Sequence, residues 1–458
     1  MPLRVAIVGS GPSGFYAAGH LLDDRARRGH ELEVDVIDRL PTPWGLVRAG
    51  VAPDHPNIKA VTRVYERIAA HPRFRFFGNV ELGRDVTRAE LAARYDAIVY
   101  AVGAQADRRM GVPGEELPGS WPATAFVAWY NGHPDYADLR FDLSGGRAVV
   151  VGNGNVAADV ARMLVLTREE LAVTDVADHA LEALAASAIR EVVVLGRRGP
   201  AQAAFTNPEL RELGELHDAD VQADAAARSL DPLSAAYLAS DAASATTRKN
   251  VELLQTYATR TLTGKRKRIV LRFLLSPVAL LGDERVEAVR VRHNELVEQD
   301  GAIRARSTEH EEEIPASLVL RSIGYRGVPL ADVPFDERSG TIPNERGRVA
   351  GRRGEYAVGW IKRGPTGIIG TNKKDAQETV ELLLDDADAG RLLAPTGGGP
   401  IDALLAERRP DHVAYAGWQA IDAAERGAGE PQGRPRVKYC TWDELLAQAS
   451  LAPPAAVR

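Results

Sequence analysis

Glycines follow a short apolar run near the start of the chain, at a spacing that suits phosphate binding. Residues 3–8 predict a buried strand, and Gly9, Gly11 and Gly14 come after it. In such a loop the first glycine allows a tight turn, the second lets the backbone approach a pyrophosphate, and the third allows close packing of strand and helix. The helix predicted from Ser13 onward would point its amino terminus at the phosphates.

An acidic residue ends the next predicted strand. Residues 33–37 form that strand, and Asp38 follows it. A carboxylate at this place accepts hydrogen bonds from the hydroxyls of a ribose. A glycine turn beside a surface carboxylate is the alternative, but loop, strand and acid all agree with a dinucleotide site.

A second glycine loop follows the apolar strand predicted at residues 147–151. It comprises Gly152, Asn153, Gly154, Asn155, Val156 and Ala157, with alanine at the third glycine position. The next strand, predicted at residues 191–195, leads not to an acid but to Arg197 and Arg198. Guanidinium groups favour a 2′-phosphate over a free hydroxyl. The second loop therefore predicts NADP, with a solvated basic turn as the alternative.

Two dinucleotide loops in one chain predict electron transfer between two bound cofactors. If the second holds a nicotinamide, a flavin at the first would accept its hydride. Trp360 and the loop at residues 364–370 would complete the flavin site, because the following helix would bring partial positive charge toward the reduced ring. An ordinary Pro/Gly turn is the alternative for this loop.

The elements around these motifs alternate between strand and helix. This order predicts an α/β fold with two Rossmann-like dinucleotide-binding domains built on parallel sheets, plus a small antiparallel part. Further predicted elements are a helix at 58–70, strands at 95–102, 318–323 and 356–361, antiparallel strands at 269–275 and 286–293, and helical or loosely ordered chain at 219–247.

Composition excludes several classes of protein. The net charge of −6 argues against nucleic acid as a partner. The single cysteine, Cys440, rules out an internal disulfide, a CxxC redox pair and a cysteine-ligated cluster, and no metal site is predicted. No stretch of about 18 apolar residues is present, so we expect no membrane span, and the lone thiol favours a cytoplasmic location.

Three polar features stay ambiguous from the residues alone. His55 lies in a Pro-rich loop and Glu212 lies on a predicted helix, so both are more simply structural. The basic run at residues 265–268 is either a solvated strand edge or part of a landing face for an acidic protein.

Longer strings carry a more specific resemblance. The most specific are PTPWGLVR at residues 41–48 and GVAPDHP at residues 50–56. With the glycine loops, GRRGP at 196–200 and VGWIKRGPTG at 358–367, the chain resembles the adrenodoxin reductase-like ferredoxin–NADP reductases, especially those of actinobacteria.

The resemblance implies a FAD domain that is split in sequence. Its first part would span residues 1–106, an inserted NADP domain residues 107–322, and its second part residues 323–458 with a C-terminal helical extension.

The resemblance also implies which residues contact the cofactors. Contacts to non-covalent FAD would come from Gly11, Ser13, Asp38, Leu46, Val80, Trp360, Gly367, Ile368 and Ile369. Contacts to NADP(H) would come from Arg108, Asn153, Gly154, Asn155, Val156, Arg197, Arg198, Glu209 and Gly367. Many members carry Glu at the position of Asp38. A His and a Glu near the nicotinamide correspond to His55 and Glu212.

The implied activity is that of a flavoprotein oxidoreductase. FAD would take a hydride from NADPH and pass single electrons to a ferredoxin-type iron–sulfur protein, feeding cytochrome P450 or other ferredoxin-dependent enzymes. A monomer is favoured. The alternatives are a FAD/NADPH-dependent monooxygenase and a non-enzymatic NADPH-sensing flavoprotein.

Overall fold

A computed structural model describes residues 2–23, 28–367 and 369–452. The chain divides into two units. Unit 1 comprises Met1–Ala106, Asn131–Asp135 and Gly324–Arg458, and unit 2 comprises Asp107–Tyr130 and Tyr136–Ile323. Among the described helices, none combines the length and apolar character needed to cross a bilayer.

The strands vary from two-residue pairs to a long antiparallel ribbon. In chain order they are β1 (Leu3–Val8), β2 (Leu32–Ile37), β3 (Phe74–Gly78), β4 (Ala97–Tyr100), β5 (Ala106–Asp107), β6 (Ser120–Pro122), β7 (Arg147–Val151), β8 (Glu191–Gly196), β9 (Ala219–Ala223), β10 (Lys267–Phe273), β11 (Leu275–Leu281), β12 (Ala288–Gln299), β13 (Ala302–Pro315), β14 (Leu318–Arg321), β15 (Tyr325–Arg326), β16 (Asn344–Glu345), β17 (Arg348–Val349), β18 (Glu355–Ala357) and β19 (Val413–Ala414).

The helices are mostly short. In chain order they are α1 (Pro12–Leu22), α2 (Leu46–Ala49), α3 (Pro56–Lys59), α4 (Thr62–Ala69), α5 (Arg88–Ala92), α6 (Ala123–Tyr130), α7 (Asn155–Val165), α8 (Arg168–Ala172), α9 (Asp178–Ala185), α10 (Asn207–Leu213), α11 (Ala225–Arg228), α12 (Pro232–Ala239), α13 (Ala245–Thr259), α14 (Trp360–Arg363), α15 (Ile369–Asp388), α16 (Ile401–Arg408), α17 (Tyr415–Gly429) and α18 (Trp442–Ala449).

Unit 1 is built on a sheet with the order β16-β17-β18-β4-β1-β2-β3-β19. The strands from β18 to β3 run parallel, and antiparallel strands close both edges. On the central strand β1, Val5 and Ile7 belong to one buried cluster, whereas Ala6 and Val8 belong to another. Both faces of the sheet are therefore covered, which explains why this strand reads as a continuous apolar run.

Unit 2 has a parallel sheet with the order β6-β14-β7-β8-β10-β9, and a separate antiparallel sheet of β11, β12 and β13. The predicted fold class, an α/β protein with parallel sheets and a small antiparallel part, is confirmed. All the strands of the parallel sheet start at one edge and end at the other, so the glycine loop after β7 and the arginine pair after β8 share an edge.

One strand prediction was wrong. Residues 269–275 were expected to be antiparallel, but β10 lies parallel between β8 and β9. Its buried side chains alternate with more exposed ones, as in an antiparallel strand. The stretch 219–247, expected to be helical or loosely ordered, contains α11, α12 and the start of α13, but it begins with strand β9.

Two predicted boundaries also changed. The helix expected at 58–70 is two helices, α3 and α4. The strand expected at 356–361 ends at Ala357, because Gly359 has a φ of +73° and α14 begins at the next residue.

Candidate functional site

The first glycine loop is closed on two sides and open on one. Gly9 has a φ of +107°, and a Cβ there would lie 2.5 Å from the carbonyl oxygen of Ala101. A Cβ on Gly14 would overlap the carbonyl oxygen of Gly9, whereas one on Gly11 would have no atom within 4 Å. Helix α1 starts here without a side-chain cap. Its first N–H groups are therefore not capped by the side chain of the preceding residue, as in loops that bind a pyrophosphate.

Asp38 is fixed next to this loop. Its Oδ2 accepts hydrogen bonds from the backbone N–H and the hydroxyl of Ser10, at 2.7 and 2.5 Å. Its Oδ1 accepts the N–H of Leu40 at 2.9 Å. Burial raises the pKa of Asp38 above its ordinary value, although these hydrogen bonds oppose the shift. The carboxyl group is held firmly at the end of β2, where the sequence predicts a ribose contact.

The PTPWGLVR segment lies directly on the glycine loop. The backbone N–H of Trp44 donates to the carbonyl oxygen of Ser10 at 2.9 Å. Gly45 has a φ of +49°, and a Cβ there would lie 2.9 Å from the Cα of Gly11. Leu46, which opens α2, is 45% exposed. A glycine at position 45 is thus required by the close approach of two backbones.

Further predicted residues of unit 1 lie around the same strand ends. The N–H of Val80 donates to the carbonyl oxygen of Asp38 at 2.9 Å. Ser13 lies under Gly359, where a Cβ would overlap its hydroxyl. His55 is buried at the start of α3, and its N–H donates to the carbonyl oxygen of Ala52 at 3.1 Å.

The third glycine loop connects α14 to α15. The ring of Trp360 stacks on Tyr325 at 5.7 Å, and its Nε1 donates to the carbonyl oxygen of Thr366 at 3.2 Å. Gly367 has a φ of +80°, which makes room for the turn before Ile369 opens α15. The predicted site residue Ile368 lies outside the described residues.

A buried tether that the sequence did not predict holds the PTPWGLVR segment. Arg48 forms a two-pronged ion pair with Glu425 of α17, at 2.8 and 2.5 Å, and Glu425 also binds Arg436 at 2.9 Å. Trp418 packs edge-on against Trp44 at 4.7 Å. The C-terminal segment therefore fixes the turn that covers the first glycine loop.

The carboxylate of Glu425 stays ionised although it is buried. Burial favours the neutral form of Glu425, but Arg48 and Arg436 outweigh it and hold the pKa of Glu425 below its ordinary value. Of the three charged residues in these ion pairs, only Arg48 lies in a motif that the sequence singles out. Glu425 is 377 residues further along the chain, and nothing in its neighbourhood marks it.

The second glycine loop repeats the design of the first within unit 2. Gly152 has a φ of +126°, and a Cβ there would overlap the carbonyl oxygen of Ser322. Helix α7 begins after Gly154 without a side-chain cap. The carbonyl oxygen of Asn153 accepts the N–H of Ala204 at 3.0 Å, and the side chain of Asn155 accepts the N–H of Thr206 at 2.8 Å. Val156 lies in the first turn of α7.

The predicted arginine pair is exposed at the end of β8. The carbonyl oxygens of Arg197 and Arg198 are held by the Nδ2 of Asn294 at 2.8 Å and by the N–H of Leu274 at 3.2 Å. Within the part of the chain that the structure describes, neither guanidinium makes an ion pair. The backbone is anchored while both charged groups stay available to an anion.

The remaining predicted residues of unit 2 have separate settings. Arg108 is exposed after β5. Glu209 is buried and Glu212 is half-buried on α10, and the Oε2 of Glu212 lies 3.8 Å from the Nη1 of the buried Arg162. The sequence did not predict Arg162, which also pairs with Asp159 at 2.8 Å.

Comparison with known proteins agrees with this arrangement. Residues 3–194 match the family model described as pyridine nucleotide-disulphide oxidoreductase. Along its length the chain is 54% identical to the NADPH-ferredoxin reductase FprA of Mycobacterium leprae, covering 97% of each chain. It is 42% identical to the mitochondrial NADPH:adrenodoxin oxidoreductase of Arabidopsis thaliana, covering 98% of this chain and 96% of that protein.

A solved structure shows the same fold. The FprA of Mycobacterium tuberculosis in complex with NADPH superimposes with a TM-score of 0.92 at 50% identity, covering 98% of this chain and 100% of the other.

Proposed function

The chain belongs to the NADPH-ferredoxin reductase family, and we propose that unit 1 holds its FAD and unit 2 its NADPH. It is an oxidoreductase that carries electrons from NADPH to a ferredoxin, with FAD and NADP(H) as its cofactors. When bound, FAD links the two-electron chemistry of a nicotinamide to the one-electron chemistry of an iron–sulfur cluster.

The single observation that supports this placement is the open side of the first glycine loop. Gly9 and Gly14 have no room for a side chain, yet Gly11 borders empty space at the uncapped start of α1. That combination fits a pyrophosphate. Gly11 and Ser13 would hold the phosphates, and Asp38 would accept a hydrogen bond from a ribose hydroxyl.

The rest of unit 1 would hold the flavin ring and the adenine. Leu46 and Trp360 offer apolar surface, and the start of α15 after Gly367 offers N–H groups and partial positive charge. Val80 would lie beside the adenosine because its N–H is bonded to the carbonyl oxygen of Asp38. We propose that FAD is held without a covalent bond, so acid denaturation should release all the yellow colour into the supernatant.

Unit 2 would select NADPH through its phosphate. Asn153, Gly154, Asn155 and Val156 present the uncapped start of α7 to the pyrophosphate. Arg197 and Arg198 would bind the 2′-phosphate, since both guanidiniums are exposed and unpaired among the described residues. Arg108 and Glu209 stay predicted NADP(H) contacts.

His55 and Glu212 keep the roles that the resemblance implies, as a prediction. Each would be a polar group near the nicotinamide that orients it and sets the local polarity. Hydride transfer itself needs positioning more than proton movement. Replacing either residue should therefore slow the reduction of the flavin by NADPH, whereas the release of FAD on acid denaturation should not change.

Anaerobic stopped-flow spectroscopy tests the function. NADPH should bleach the flavin absorbance, and an oxidised ferredoxin should then restore it in one-electron steps. A monooxygenase would instead need oxygen and an organic substrate for turnover, and a sensor would bind NADPH without any bleaching. Either of those results would overturn the proposal.

The finer predictions about cellular context rest on the sequence. We propose that the ferredoxin supplies cytochrome P450 or other ferredoxin-dependent enzymes. The monomeric state and the cytoplasmic location also stay predictions. Analytical ultracentrifugation of the FAD-loaded protein decides the first of these two.

A further inference from the structure

A basic cavity opens at the edge of unit 2 that lies opposite the second glycine loop. Its volume is about 950 Å³, and it is lined mainly by the starts of β7, β8 and β10 together with residues 144–146, 264–266, 285–287 and 315–317. The glycine loop follows the other end of β7. Five residues of strand separate the two places by roughly 16 Å. The cavity is therefore not part of the proposed NADP site.

Charges of one sign dominate the lining. It contains seven Lys and Arg residues and four Asp and Glu residues, and one of the cations, Arg266, is paired with Asp218, which is not part of the lining, so that the surplus is two positive charges. A cavity with such a surplus concentrates anions.

Three neighbouring residues in adjacent strands show how the surplus arises. Arg147, Glu191 and Arg268 are register partners across β7, β8 and β10. Both guanidiniums donate through Nε to the two oxygens of Glu191. One carboxylate cannot neutralise two guanidiniums, and the Arg268 side chain remains 48% exposed.

Among the described residues, three more cations have only carbonyl oxygens as hydrogen-bond partners. Arg190, Lys265 and Lys267 donate to backbone carbonyl oxygens at 3.2, 2.6 and 3.1 Å. None of the three forms an ion pair with another residue that the structure describes. Burial is the main cause that lowers the pKa of Lys267; the charges of Arg190 and Arg266 add to the shift, and those of Asp218 and Glu170 oppose it.

Three of the four acids of the lining are already engaged. Glu191 is shared by Arg147 and Arg268. Asp220 accepts the backbone N–H groups of residues 263–265, and Asp142 lies 3.4 Å from Arg285. The fourth acid, Glu287, is exposed.

We propose that this cavity binds a small polyphosphate anion, either free or as the phosphate chain of a nucleotide. Guanidinium groups match phosphate oxygens in geometry. Two surplus charges suit a diphosphate or triphosphate better than a single carboxylate. The volume is that of a small-molecule site.

Isothermal titration calorimetry on the FAD-loaded protein tests this site. Inorganic tripolyphosphate is titrated into the unmodified protein and into the Arg197→Ala, Arg198→Ala protein, which lacks the proposed 2′-phosphate contacts, and the cavity should bind it equally in both. Arg268→Gln or Arg190→Gln should weaken binding about tenfold each, the effect of one charge-assisted hydrogen bond. Arg304→Gln, on the exposed β13, is the matched control and should bind as the unmodified protein does.

One variant should move the affinity in the opposite direction. Glu191→Gln removes the carboxylate that Arg147 and Arg268 share, so tripolyphosphate should bind more tightly. General damage to the fold would weaken binding instead. Repeating the titration with ATP identifies the source, because tighter binding than tripolyphosphate indicates a nucleotide and equal binding indicates the phosphate chain alone. Absence of binding to the unmodified protein, or equal affinities for all variants, would overturn the proposal.

Discussion

At the scale of single residues, the two arginines after β8 combine a fixed backbone with free charges. Their carbonyl oxygens are held by Asn294 and Leu274, and their guanidiniums have no ion-pair partner among the described residues. Such a pair discriminates by the charge of its ligand. A ribose with a free 2′-hydroxyl gains little from it, whereas a 2′-phosphate gains two charge-assisted contacts.

The Arg197→Ala, Arg198→Ala double variant should therefore raise the KM for NADPH about 100-fold, because each contact contributes about 1.5 kcal/mol or more. The KM for NADH should change little. Steady-state reduction of ferricyanide by each nucleotide measures both values. The Arg304→Ala, Arg306→Ala pair on the exposed β13 is the matched control. Equal losses with NADPH and NADH would remove the argument for 2′-phosphate recognition.

Glu425 is the residue on which the buried tether depends. It is fully buried and binds two arginines, so Glu425→Gln leaves Arg48 without an ion-pair partner among the described residues and leaves Arg436 with Asp422 alone. Breaking such a pair costs about 3–5 kcal/mol. Urea unfolding followed by tryptophan fluorescence should show this loss, since Trp44 and Trp418 lie at the tether. Glu430→Gln, at an exposed carboxylate next to the same helix, should change the free energy of unfolding by less than about 0.5 kcal/mol.

The same residue predicts a dependence on pH. The pKa of Glu425 is lower in the folded protein than its ordinary value of about 4.3. Its stabilising contribution is therefore complete above that ordinary value and is lost as the pH falls through the lower, folded value. In Glu425→Gln this part of the acid sensitivity should be absent. An identical acid titration in both proteins would contradict the assignment.

At the scale of elements, the first strand–loop–helix unit contains one glycine that the fold requires and another that ligand binding requires. A Cβ on Gly14 would overlap the carbonyl oxygen of Gly9, but one on Gly11 would only enter the open side of the loop. Gly11 also has a φ of −75°, which alanine adopts freely.

Gly14→Ala should destabilise the apoprotein by about 1–3 kcal/mol through overpacking. Gly11→Ala should leave the apoprotein within about 0.5 kcal/mol of the unmodified protein. It should nevertheless weaken FAD binding about tenfold, because the methyl group would stand where the pyrophosphate is expected. Thermal unfolding of the apoprotein and fluorescence titration with FAD separate the two effects. Gly427→Ala, at another open position, is the control, and unchanged FAD affinity in Gly11→Ala would place the pyrophosphate elsewhere.

Elements with local signals could be predicted from the sequence, and elements defined by distant partners could not. The glycine loops, Asp38 and the arginine pair are set by strain and strand ends within a short stretch of chain. By contrast, β10 alternates like an antiparallel strand and becomes parallel only through its neighbours β8 and β9. Glu425 and Glu191 act through partners that are remote in sequence, so no local pattern marks them.

At the scale of the whole molecule, the net charge of −6 hides local concentrations of positive charge. The basic run at residues 265–268 illustrates this. Arg266 pairs with Asp218, Lys267 is buried, and the run lies at the edge of the sheet opposite the glycine loop of unit 2. The run lines the anion cavity proposed above. The alternative role, part of a landing face for an acidic protein, stays a prediction.

The assignment of one cofactor to each unit predicts where ligands protect the backbone. In hydrogen-exchange mass spectrometry of the apoprotein, FAD should slow exchange in residues 9–14, and 2′,5′-ADP should slow exchange in residues 152–157. A ligand at 100 times its Kd stabilises the state that binds it by about 2.7 kcal/mol. Amides that exchange only when this state opens should therefore exchange about 100-fold more slowly. The Arg197→Ala, Arg198→Ala protein should lose the second effect and keep the first. Protection of residues 152–157 by FAD, or of residues 9–14 by 2′,5′-ADP, would reverse the assignment of the two units.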